Sequence, residues 1–138
     1  MHSFKLVLSA TLVTALAATS HAADSPAKAP DAAVKPVLTQ PLPDLQGKEV
    51  LMLTVEYPPG GASPAHRHNA NTFVYVLEGA VVMQVAGGKE KTVKAGETFY
   101  ESPTDIHSVS RNASVTQPAK FLVFFVKDEG APATAPAP

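Results

Sequence analysis

Two histidines, His66 and His68, stand one residue apart just after the turn-forming run Pro58-Pro59-Gly60-Gly61 and just before the β-rich stretch Thr72 to Leu77. On extended backbone, positions i and i+2 project from the same face, so both imidazoles are offered to one point. That is the outline of a metal-ligand pair. The chain has five histidines, at positions 2, 21, 66, 68 and 107, and no cysteine. A thiolate metal site, a disulfide framework and a cysteine nucleophile are thereby excluded, and a transition metal has only imidazole, carboxylate and water to bind it.

The set of relevant histidines narrows further at the N-terminus. Met1 to Ala22 reads as a secretory signal, with Lys5 as the positive start, an apolar run from Leu6 to Ala18, and Ser20-His21-Ala22 as the cleavage sequence. The apolar run is too short for a stable membrane anchor. Cleavage after Ala22 removes His2 and His21 and leaves only His66, His68 and His107. The expected product is exported, periplasmic or secreted. Residues 23–35, rich in Ala and Pro, read as a tether, and the Ala-Pro repeats of residues 130–138 read as a disordered tail. The folded unit is expected over residues 36–129. Net charge is −1 with no basic block, which argues against a nucleic-acid partner.

Within that unit the apolar runs are short and the punctuation dense, which predicts an all-β sandwich or barrel. Strands are expected at Glu49 to Tyr57, Thr72 to Leu77, Ala80 to Ala86, Lys91 to Lys94, Glu97 to Tyr100, His107 to Ser110 and Lys120 to Lys127. The turns between them carry Gly60-Gly61, Glu78-Gly79, Gly87-Gly88, Ala95-Gly96 and Pro103-Thr104-Asp105. Arg67, between the two histidines, is expected to face the opposite way. Tyr57, Phe73, Tyr75, Phe99 and Tyr100 have packing as their first reading, with Tyr100 also a candidate for the mouth of a pocket.

These residues resemble the cupins, small β-barrels of jelly-roll arrangement. The first motif of that family is a glycine, five residues, His-x-His, three or four residues, a glutamate, six residues and a glycine. Gly60, His66, His68 and Gly79 fill this frame. Its second motif runs from a glycine through a proline turn to a histidine and an asparagine. Gly96, Pro103, His107 and Asn112 are similar to it, with the proline and asparagine each displaced by one residue. The resemblance implies a single-domain cupin barrel, a homodimer, and a divalent metal (Fe, Mn, Zn, Ni or Cu) held by His66, His68 and His107. It also exposes a deficit: the family's glutamate falls at Thr72, where no carboxylate stands. Thr72 is placed in the pocket by the same alignment, and Glu101, just before the second-motif turn, is the candidate replacement ligand.

Three imidazoles suffice for a metal site, as in carbonic anhydrase, a general example of the class. Without its anion the ion keeps more positive charge, which favours anionic or chelating ligands. Three activities remain open. One is a metal-dependent dioxygenase acting on a small enol or diketone; another is a binding module without turnover. The third is a metal-assisted isomerase or lyase acting on a sugar or small acid. No phosphate loop, dinucleotide fingerprint or serine elbow is present.

Overall fold

The computed structural model describes residues 27–138. The expected signal segment, and the first four residues of the expected tether, lie outside the described residues. Eleven strands and no helix are found among those described. The first sheet pairs β1 (Ala33–Pro41), β2 (Lys48–Tyr57), β10 (Ala119–Asp128), β5 (Asn71–Glu78) and β8 (Thr98–Glu101), in that order. The second pairs β11 (Ala135–Pro136), β4 (His66–Arg67), β9 (His107–Asn112), β6 (Ala80–Val85) and β7 (Lys91–Lys94), with β3 (Ala62–Ser63) also on β9. Every pairing is antiparallel.

Alternation along β10 shows how the layers are built. Phe121, Val123 and Phe125 are buried, while Leu122 and Phe124 on the other face are only half-buried. This is the period of two that a strand with one core face requires. The three inward side chains meet Leu53, Val55 and Tyr57 of β2, Val74 and Val76 of β5, and Val81 and Met83 of β6 in one core. Each such buried apolar side chain contributes roughly 1.5–3 kcal/mol. The β5–β6 turn depends on Gly79, whose φ of 70° suits glycine and whose hydrogen faces the Pro118 carbonyl; a Cβ there would lie 2.7 Å from that oxygen.

Two differences from the expected layout bear on the site. The chain is already strand at Ala33, inside the expected tether. β1 is exposed along its whole length and shifts register between Pro36 and Leu38. It is held as an edge strand by backbone pairing to β2, and proline is tolerated at an edge. The Ala-Pro segment after Gly130 is not a free tail: β11 pairs with β4 at the two positions Ala135↔Arg67 and Pro136↔His66. Composition predicts whether a segment forms its own core, and this one docks on another's backbone instead. No helix among the described residues is long and apolar enough to cross a membrane.

Candidate metal centre

β4 and β9 are neighbours, and His66 and His107 are direct register partners across them, so their side chains leave the sheet on the same face. His68 follows just past the end of β4. Asn69 then turns the chain with φ of 50°, a left-handed conformation that asparagine tolerates, and carries it into β5 of the other sheet. The result is one cluster in which ligand atoms of His66, His68 and His107 all lie within 4.8 Å of one another. Spacing pointed to His66 and His68, the motif resemblance added His107, and the fold brings the three together.

Hydrogen bonds define the state of two rings. His66 Nδ1 donates to the Pro64 carbonyl at 2.7 Å, and His68 Nδ1 donates to the Ala133 carbonyl at 2.8 Å. A carbonyl only accepts, so the proton of each neutral ring is assigned to Nδ1 and Nε2 is left as a lone pair. The two Nε2 atoms nevertheless sit 3.2 Å apart. Two lone pairs at that distance repel unless a proton or a metal cation is shared between them. Ligand atoms bound to one ion at about 2.0–2.2 Å stand roughly 3–3.5 Å from each other, which is the spacing seen. Backbone carbonyls that orient the far nitrogen of a ligating ring are the usual support of such a site.

Glu101 completes the surroundings. It is fully buried, with Oε1 3.2 Å from His107 Nδ1 and Oε2 3.9 Å from His68 Nε2. The contact to His107 is close but misaligned, so both carboxyl oxygens and both nitrogens of His107 have no hydrogen-bond partner. Four orphaned buried atoms beside two opposed lone pairs fit a cation-binding centre. Glu101 is also the register partner of Thr72. A carboxylate is therefore presented one strand across from the position where the motif lacks it, and on the same face.

Burial sets the protonation of the metal-free site. Desolvation is the first cause in each case. Desolvation, aided by His66 and opposed by the Ala133 hydrogen bond, brings His68 to about 4; desolvation with His66 and His68 brings His107 to about 3; and desolvation with Asp105 raises Glu101 to about 7. His68 and His107 are thus held neutral, the form a metal requires. The two histidines contribute stability present above their ordinary value of 6.5 and lost as pH falls toward 4 and 3. Glu101 acts oppositely: its contribution is present below its ordinary 4.5 and lost as pH rises through about 7. Two groups outweigh one, so the urea midpoint of metal-free protein is expected to rise from pH 4.5 to 6.5. A flat or falling midpoint would contradict this balance.

The cluster sits in a cavity of about 380 Å³ between the sheets, walled by Leu53, Val55, Val74, Met83, Phe121, Val123 and Phe125. This is within the range of small-molecule sites. His68 packs on Phe125 with ring centroids 4.9 Å apart, and His107 stacks on Phe99 at 6.1 Å. Tyr57, for which packing was the first sequence reading, also lines it. Its hydroxyl is tied to Ser63 at 2.7 Å and Ser110 at 2.8 Å, a polar link between the sheets. Nothing in the spacing of these three residues signals the link.

Two expected pocket residues are placed elsewhere. Tyr100 is half exposed on the outer face, with its ring 5.3 Å from Phe73 and its hydroxyl donating to Asn71 at 2.8 Å. Alternation along β8 sends Glu101 inward and its neighbour Tyr100 outward. Thr72 is fully buried but does not line the cavity; its hydroxyl donates to the Ala70 carbonyl at 3.4 Å. Asn112 of the second motif is a structural clamp, donating to the carbonyls of Pro58 and Gln117. Arg67 is exposed as expected, and Arg111 pairs with Glu90 at 3.1 Å.

The chain matches the family Cupin_2, described as a cupin domain, over residues 53–125. It is a cupin. No curated protein matches it. Among solved structures, this cupin is similar to an uncharacterized conserved protein with a double-stranded β-helix domain from Klebsiella pneumoniae. That match has a TM-score of 0.62, 17% identity, and coverage of 78% of this chain and 85% of that one. It is also similar to the DMSP lyase DddQ from Ruegeria pomeroyi (TM-score 0.56, 19% identity, 64% of this chain and 43% of the lyase). A third likeness is to oxalate oxidase in complex with the substrate analogue glycolate (TM-score 0.57, 24% identity, 78% of this chain and 61% of the oxidase). The cupin thus spans less than half of the lyase's length, and at these identities the likeness is one of fold.

Proposed function

We propose that this cupin is an exported metal-dependent dioxygenase of small chelating substrates, of enol or diketone type. In this reading His66, His68 and His107 would hold one redox-active divalent ion, of the set Fe, Mn, Ni or Cu, with Glu101 as its fourth, anionic ligand; zinc, which has no redox chemistry, would serve only the binding or isomerase readings. The observation that carries the reading is the pair of Nε2 lone pairs 3.2 Å apart beside the unpartnered His107 and Glu101. When bound, such an ion supplies Lewis acidity that polarises an oxygen of the substrate. The chain's own residues shield the site: Met83, Phe121 and Phe125 line the cavity and exclude water. No lysine or arginine lines the cavity among the described residues, so a phosphorylated sugar finds no cationic partner there. A compact, largely apolar chelator suits it better.

The homodimer implied by the family is supported by the outer face of β5 and β8. There Phe73, Tyr75 and Tyr100 are about half exposed beside the free edge of the sheet. Purified protein lacking residues 1–22 tests the proposal. One equivalent of metal by elemental analysis is expected, with oxygen uptake in the presence of at least one member of a diketone and enol panel. Chelation should abolish that uptake. Sedimentation of the same sample reads the dimer. Metal-loaded protein that consumes no oxygen with any panel member would sink the dioxygenase reading in favour of a binding module.

A further inference from the structure

The segment that sequence composition assigns to a free tail enters the centre at one atom. From β10 the chain turns at Asp128 to Ala131, where the buried Lys127 ammonium donates to the Ala131 carbonyl at 2.6 Å and pairs with Glu49. It then crosses the cavity, with Ala133 packed against the core and Ala133 and Thr134 lining the wall. Beyond them β11 pairs with the strand that carries His66. Between these two anchors the Ala133 carbonyl accepts the Nδ1 proton of His68 at 2.8 Å, from 65 residues away in sequence.

We infer that the Ala133 carbonyl is a positioning group for His68, so that the C-terminal segment 131–136 is a working part of the metal centre. His68 is buried, and this is its one hydrogen bond to a backbone oxygen. Removing the acceptor frees the ring to take the other tautomer, with the proton on Nε2 and the lone pair turned from the centre. Pro132 and Pro136 lower the conformational entropy lost when the segment is laid down, because their φ angles are fixed beforehand. Lys127 ties down the near end with an ion pair buried under it.

The inference rests on the metal reading for its consequence and for the zinc arm of its test, but not for the NMR arm. Two variants decide it: a chain ending at Ala131, which keeps the Lys127 contact, and Ala133→Gly, which keeps the carbonyl and loses only the methyl. In metal-free protein, 15N NMR of the imidazoles is expected to show His68 with its proton on Nδ1 in the full chain and in Ala133→Gly, and a mixture of tautomers in the shortened chain. Zinc calorimetry is expected to show about 10–100-fold weaker binding for the shortened chain, the range for losing an orienting partner, and no comparable change for Ala133→Gly. A shortened chain that keeps both the tautomer and the affinity overturns the inference. So does an Ala133→Gly variant that loses as much, since packing would then be the cause. A full chain that binds no zinc but shows the tautomer difference would refute the metal reading and leave the positioning intact.

Discussion

His107→Ala is expected to weaken divalent-metal binding by more than about 100-fold, beyond the 10–100-fold typical of losing a supporting partner, because it removes one of three converging ligands. The fold should survive. His107 is buried with neither ring nitrogen hydrogen-bonded, so its removal strands no partner, and the neighbouring β9 pairings are made by backbone. Calorimetry with zinc and elemental analysis of the purified variant measure the loss, and a thermal melt of the metal-free form checks the fold. Metal content equal to that of the unaltered chain would sink the three-histidine centre.

Glu101→Leu is expected to act in two directions at once. In the metal-free protein the carboxyl is fully buried with neither oxygen partnered. An unsatisfied buried polar group costs about 1–3 kcal/mol, and leucine fills a similar volume without that cost. The metal-free variant should therefore melt higher, at roughly 4–8 °C per kcal/mol for a domain of this size. Its metal affinity should fall, since the anion beside the three imidazoles is gone. Glu101→Gln separates the effects: it keeps shape and burial, so affinity falls with little rise in melting temperature. A Glu101→Leu variant that melts lower and binds metal as tightly would make this carboxylate a structural group. The expected pattern is a site that stores instability for the sake of its ligand.

The strands of the core were legible because their signal is local. β2 and β5 to β10 are short runs, many of them rich in β-branched and aromatic residues, set between turn residues, and the expected bounds lie within two residues of those seen. β1 and β11 carry no such signal. Their prolines read as breaks, and both are edge strands held by another strand's backbone groups. The site divides in the same way. His66 and His68 share a face by spacing alone, whereas Tyr100 and Glu101 are adjacent on one strand, and only pairing with β5 decides which of them points inward.

The all-β class, the absence of thiolate chemistry and the shared face of His66 and His68 were legible in the sequence from residue type or short-range periodicity, and the motif resemblance added His107. The tertiary structure alone decided that Glu101 stands beside Thr72 and that Tyr57 joins the two sheets. It also decided that the Ala133 carbonyl holds His68. These three depend on strand register and chain reversal between residues tens of positions apart. Spacing along a strand specifies a face, but which residues meet across strands is set by the packing of the whole core.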